Sequence, residues 1–130
     1  MNPAQQVARR YYDAWTSGDR HTVTTLLAPT FRFAAGDLKI DGRDAFLASG
    51  AFPRDATVTM VAEAYQDDVG FQLYDATRGN RTIRVAEQLT VRDGRIASSN
   101  FVTDMAAFAT FAGAGAGTQG TEGSWGGGRA

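Results

Sequence analysis

Apolar residues recur at Val7, Tyr11, Ala14 and Trp15, a spacing that lies along one face of a helix. That helix is expected over residues 3–17, because a proline is tolerated in a first turn and Gly18 is placed to end it. Asp19 is a candidate N-cap for a shorter helix over 20–27, stopped by Pro29. Phe31, Phe33 and Ala35 then alternate, which predicts a strand over 30–35, with 38–40 as a short partner strand. Asp41 is the expected cap of a third helix over 42–49, ended by Gly50 and Pro53. Beyond Pro53 the period becomes two, and strands are predicted over 56–65, 69–77, 81–92 and 96–104. Asp93-Gly94 joins the last two as a two-residue hairpin turn, since both residues tolerate positive φ. Helices first and a run of antiparallel strands afterwards make an α+β fold, not the alternation of a parallel α/β chain.

The long strand separates cleanly by face. Its odd positions are Ile83, Val85, Glu87, Leu89 and Val91, and Glu87 is the one exception on an apolar surface. Counting back from the turn places Asn100 opposite Glu87, Val102 opposite Val85 and Asp104 opposite Ile83. In the preceding strand the apolar phase Val69, Phe71, Leu73 is taken as the inner one, which requires an odd-numbered loop around Gly79. Phe71 then lies beside Glu87 and Asp75 beside Ile83. A bulge in either strand would break this count. The expected inner face holds Glu87, Asn100, Asp75 and Asp104 among apolar residues. A bare carboxylate there is costly, so it must be protonated, find a donor or meet water in a pocket. Desolvation would raise the pKa of Glu87 and suit it to acid/base work. The plain alternative is a Glu87 satisfied by a buried tyrosine or arginine, with no chemistry. Tyr11 carries a hydroxyl that needs a partner when buried, and Glu87 is a plausible one.

Composition narrows the chemistry. The 130 residues contain 13 Lys+Arg and 14 Asp+Glu, so no basic surface for nucleic acid or anionic membrane is expected. There is no cysteine and one histidine, His21, which reads as a solvated side chain at a helix start; no metal and no cofactor are expected. The Arg9-Arg10 pair reads as a solvated helix face. No run approaches about 18 apolar residues, and the N-terminus lacks a basic start followed by an apolar stretch, so a cytoplasmic location is expected. Eight of the 15 glycines fall from Gly113 onward. The expected organisation is therefore one domain over 1–112 and a Gly-rich flexible tail over 113–130.

Several segments resemble a known family. Tyr11-Tyr12-Asp13-Ala14-Trp15, then Ser17-Gly18-Asp19, then Leu26-Leu27-Ala28-Pro29-Thr30-Phe31 resemble the start of nuclear transport factor 2-like domains of the SnoaL-like group. Ile40-Asp41-Gly42-Arg43-Asp44-Ala45-Phe46 looks like that group's third-helix entry. Glu87 to Ile96 and Phe101-Val102-Thr103-Asp104 look like its last two strands, so the resemblance covers residues 4–110. It implies a cone: a strongly bent antiparallel sheet packed on three N-terminal helices, with a pocket opening at one end and dimerisation through the sheet's outer face. Activities in the group include polyketide ring cyclisation, ketosteroid isomerisation and epoxide hydrolysis, and many members only bind ligands or partners. The resemblance to ketosteroid isomerases puts an oxyanion-holding tyrosine on Tyr11 and a protonated acid on Glu87. The general base of those enzymes falls near Ala34-Ala35, where there is no acid, and the final-strand acid of the epoxide hydrolases falls on Phe101. Cyclases of the group use one acid/base and no metal, a role open to Glu87, Asp75 or Asp104.

Two functions are thus expected to compete. The first is cofactor-free acid/base chemistry on a small, mostly apolar molecule, with Glu87 holding the proton and Tyr11 and Asn100 donating hydrogen bonds. Trp15, Phe31, Phe33, Phe71, Val85 and Val102 are its expected pocket lining. The second is a non-catalytic ligand-binding or dimerisation module of the same fold, with a second copy of the chain as partner.

Overall fold

The computed structural model describes residues 1–50 and 55–114. The expected ending of the third helix at Pro53 lies outside the described residues, as does the expected Gly-rich tail over 113–130 except for Gly113 and Ala114, which belong to the last helix. Helix α1 spans Pro3–Thr16, and α2 spans Arg20–Leu26. Strand β1 (Leu27–Ala35) and strand β2 (Leu38–Asp41) lead to helix α3 (Arg43–Ala48). Strands β3 (Thr57–Gln66), β4 (Val69–Arg78), β5 (Arg81–Arg92) and β6 (Arg95–Val102) follow, and helix α4 (Met105–Ala114) closes the series.

The helix caps follow local chemistry. Asn2 Oδ1 accepts from the backbone N–H groups of Ala4 and Gln5 at the start of α1, and Asp19 caps α2 through the N–H of Thr22. Asp41 does not cap α3, as the sequence had suggested. Its carboxylate pairs with Arg32 across the β1–β2 hairpin (3.0 Å), and the cap position belongs to Gly42 at φ 101°, a backbone angle that favours glycine. Helix α2 ends before Pro29, which falls within an irregular stretch of β1, where the register to β6 shifts between Leu27 and Arg32.

The six strands form one curved sheet in the order β2-β1-β6-β5-β4-β3. All neighbours are antiparallel except β1 and β6, which run parallel, so the sheet is mixed rather than purely antiparallel. The Asp93-Gly94 turn forms as expected, with φ of 53° and 75° and Arg92 paired to Arg95.

Helices α1–α3 cover one face of the sheet, and α4, which the pattern did not reveal, joins the same core. Its Phe108 packs on Phe101 of β6 with ring centroids 4.9 Å apart. Phe31, Phe33 and Phe46 continue that aromatic layer at 5.0 Å separations. A second aromatic group, Tyr11, Tyr12 and Trp15 of α1 with Tyr74 of β4, packs over the middle of the sheet at 5.2–6.5 Å. Among the described residues no helix is long and apolar enough to cross a membrane.

Candidate functional site

Strand β5 keeps the alternation read from its sequence: Ile83, Val85, Glu87, Leu89 and Val91 are all buried on the inner face, Glu87 at 5% exposure. Both neighbouring strands, however, sit one residue away from the expected register. In β6 an extra residue, Ala97, is accommodated between Val91↔Ile96 and Thr90↔Ser98, a bulge that exchanges the two faces of the strand beyond it. Ser99 and Phe101 therefore point inward, while Asn100 and Val102 point outward. In β4 the Gly79-Asn80 connection holds two residues, not an odd number, with Gly79 at φ 64° and Arg78 paired to Arg81. The inward set is thus Gly70, Gln72, Tyr74 and Ala76, and Gln72, not Phe71, lies beside Glu87.

The consequences for the expected site are specific. Asn100 is exposed on the outer face and donates to Gln88 Oε1 (3.0 Å). Asp75 is on that face too, where Arg84 grips it with two bonds of 2.7 and 2.9 Å. Arg84's hydrogen bonds hold the Asp75 carboxyl below its ordinary pKa, the opposite of a proton-holding acid. Asp104 caps α4, accepting from the N–H groups of Ala106 and Ala107. Phe71 and Val102, expected to line an inner pocket, are 54% and 66% exposed on the outer face. Trp15, Phe31, Phe33 and Val85, also expected as pocket lining, are buried on the inner side as members of the hydrophobic core. Tyr11 is buried there as well, but the hydroxyl on Glu87 is that of its neighbour Tyr12.

Three hydroxyls converge on the Glu87 carboxyl. Tyr12 and Tyr74 donate to Oε1 at 2.8 and 2.7 Å, and Ser99 donates to Oε2 at 2.5 Å. They come from α1, β4 and β6, so four elements build the cluster. Burial pushes the Glu87 pKa up, while the hydroxyls of Ser99, Tyr74 and Tyr12 pull it back part of the way by favouring the charged form. Burial, and then the negative charge of Glu87, push Tyr11, Tyr12 and Tyr74 well above the ordinary phenol range, so all three remain protonated.

Tyr12 and Ser99 had weak sequence signals. Tyr12 continues an Ala4, Ala8, Tyr12 stripe of period four, which widens the buried face of α1 beyond the residues first singled out. Ser99 is reachable only through the bulge.

A second acid, Glu63 of β3, also faces inward. Glu63, Gln72 and Glu87 are register partners across β3, β4 and β5, a polar row leading from the sheet edge to the cluster. Arg9 is not merely solvated: its Nη2 pairs with Glu63 Oε2 at 2.9 Å, and Tyr65 donates to Glu63 Oε1 at 2.9 Å. These bonds hold the Glu63 carboxyl below its ordinary value, Arg9 contributing most. Burial pushes Tyr65 up to about 12. Between α1 and β3 a cleft of about 250 Å³ is bordered by Arg9, Tyr12, Asp13, Thr16, Met60 and Glu63, with Val58 beside them. On the outer face a trough of about 470 Å³ runs between Ala62, Ala64, Phe71, Leu73, Ala86 and Val102. His21 is exposed, and the described residues contain no group of three or more His, Cys, Asp or Glu side chains able to hold a metal ion.

Solved structures share this architecture. A candidate ketosteroid isomerase from Kribbella flavida superposes with a TM-score of 0.72 at 20% identity, over 78% of each chain. A candidate SnoaL-like polyketide cyclase from Jannaschia sp. gives 0.70 at 14% identity, over 86% of this chain and 92% of that one. IdmH, a candidate polyketide cyclase from Streptomyces antibioticus, gives 0.66 at 21% identity, over 85% and 98%. At these identities the likeness is one of fold. No curated protein matches the chain. The family model of the SnoaL-like domain matches residues 8–99, spanning both the α1 tyrosines and the strands that carry Glu87 and Ser99, and the chain belongs to that family.

Proposed function

We propose that this SnoaL-like chain performs cofactor-free acid/base chemistry on the carbonyl group of a small, mostly apolar molecule in the cytoplasm, with Glu87 as the proton-carrying group. The observation that carries the reading is the Glu87 carboxyl itself: buried, bonded to three neutral hydroxyls, and raised in pKa by its burial. A carboxyl that burial makes hold its proton more tightly can donate to a carbonyl oxygen as negative charge develops there. Tyr12, Tyr74 and Ser99 act as positioning residues, holding the carboxyl in one orientation. Asn100 has no part in this mechanism. Ala34 and Ala35 offer no base, so in this reading a water molecule takes the proton lost beside the carbonyl while Glu87 protonates the carbonyl oxygen.

The test uses 2-tetralone, an enolisable and mostly apolar ketone, incubated in D₂O with the protein. Uptake of deuterium beside the carbonyl is followed by NMR. The wild type should accelerate uptake, and Glu87→Gln should lower that acceleration by about 100-fold or more, the usual worth of a positioned acid or base. Equal rates in the two proteins would overturn the assignment.

The outer trough favours a second role alongside the first. Phe71 and Val102 stand exposed over a floor of Ala62, Ala64 and Ala86, and large side chains from a second copy would fill the space above those alanines in a two-fold arrangement. Sedimentation velocity should show a homodimer that Phe71→Asp converts to monomer with unchanged circular dichroism. A wild-type monomer at micromolar concentration would refute this.

A further inference from the structure

A buried acid that spends its proton must regain it, and a cleft borders one of the hydroxyls bonded to Glu87. We propose that the cleft between α1 and β3 is the port through which Glu87 exchanges its proton with water, with Tyr12 as the relaying hydroxyl. The inference rests on Glu87 as a proton-carrying group.

Of the three hydroxyls on Glu87, that of Tyr74 belongs to a side chain with 0% exposure and that of Ser99 to one with 2%. Tyr12 is the one of the three that also borders the cleft. The space there, about 250 Å³, far exceeds the roughly 10–15 Å³ that one water requires, and its walls are polar enough to hold water: Arg9, Asp13 and Thr16 on one side, Glu63 on the other. The polar row Glu63–Gln72–Glu87 cannot itself conduct. Its middle member is an amide, whose Oε1 accepts from the Tyr12 hydroxyl at 3.4 Å and which carries no exchangeable acid proton at neutral pH. A phenol does both jobs at once. To reload Glu87, the Tyr12 O–H bond breaks toward Glu87 Oε1 as a new O–H bond forms from a hydronium ion in the cleft, leaving water. To unload it, the same shifts run backwards. The phenol is regenerated each time, one proton has moved, and no electrons are transferred.

The groups facing Glu87 are compatible with such a relay. Tyr11 and Tyr12 from α1 and Tyr74 from β4 are all held protonated, Ser99 of β6 does not titrate, and α4 carries no ionisable side chain.

The experiment follows the Glu87 carboxyl carbon by NMR in protein labelled with carbon-13 at glutamate, reading from line shapes near its midpoint how fast the protonated and ionised forms interconvert. Tyr12→Phe and Tyr74→Phe each remove one hydroxyl from the carboxyl, and both should raise its titration midpoint. Only Tyr12→Phe should slow interconversion, by about ten-fold or more, since exchange must then wait for local opening of the core. Thr16→Phe, which plugs the cleft and keeps all three hydroxyls, should slow it as well. Interconversion as fast in Tyr12→Phe as in Tyr74→Phe, or unchanged in Thr16→Phe, overturns the port. The readout needs no substrate, so its failure is separate from a failure of Glu87→Gln to affect the ketone.

Discussion

Replacing Glu87 by alanine removes the one acceptor shared by Tyr12, Tyr74 and Ser99, and the cost can be assembled from the structure. Three buried hydrogen bonds, of 2.8, 2.7 and 2.5 Å, disappear together. At about 1 kcal/mol net for each, the hydroxyls account for about 3 kcal/mol, and the vacated methylene adds roughly 0.8 kcal/mol. A domain of this size has only about 5–15 kcal/mol in total, so the variant should remain folded but be plainly weakened. The loss must also depend on pH. The folded state raises the Glu87 pKa above its unfolded value of about 4.3, so it binds the proton more tightly than the unfolded chain does. The associated stability is complete below that unfolded value and is lost as pH rises toward the folded one. Between the two values the wild-type advantage over Glu87→Ala should shrink, by at most about 1.4 kcal/mol per pH unit. Urea unfolding of both proteins from pH 4.5 to pH 8 measures this directly. A loss below about 1 kcal/mol at the acid end would mean that the three hydroxyls do not depend on Glu87. An advantage that grows with pH would mean that the fold favours the carboxylate, and would reverse the reading of Glu87 as an acid.

Two further outcomes probe how the core around the cluster is held. Arg78 donates through Nε to Asp55 (2.6 Å) and through Nη1 to the carbonyls of Phe111 and Ala112, tying the end of α4 to β4. Arg78→Ala should cost about 1.5–3 kcal/mol and strip hydrogen-exchange protection from α4 before any strand; uniform loss of protection would contradict this. At Gly70 an added Cβ would come within 2.5 Å of Gln72 Nε2 and 2.6 Å of the Tyr65 ring. Gly70→Ala should therefore destabilise by about 1–3 kcal/mol in urea, and an unchanged midpoint would show that Gln72 and Tyr65 yield freely.

Much of the fold was legible because local rules are local. The cap at Asp19, the end of α1 just before Gly18, the Asp93-Gly94 turn and the odd face of β5 each depend on residues a few positions apart, and all appear as expected. The family resemblance, carried by short ordered segments, agrees with the match over residues 8–99. Helix α4 was missed for a related reason: Met105-Ala106-Ala107-Phe108-Ala109 has almost no polar face, so no helical period stands out, and a glycine, Gly113, falls within its last turn.

The site was less legible, and the misses share a cause. Alternation identifies a buried face only when the other face is polar. In β4 both faces are apolar, with Phe71 and Leu73 on one and Tyr74 and Ala76 on the other, so the phase was ambiguous and the larger apolar run misled. One bulged residue, Ala97, then exchanged Asn100 for Ser99. The sequence by itself determined that a carboxylate, Glu87, enters an apolar face, because side chains along one strand must alternate. Only the tertiary structure decided which groups meet it, because register is a relation between strands, set by turn length and bulges, and a shift of one residue turns every partner to the other side of the sheet.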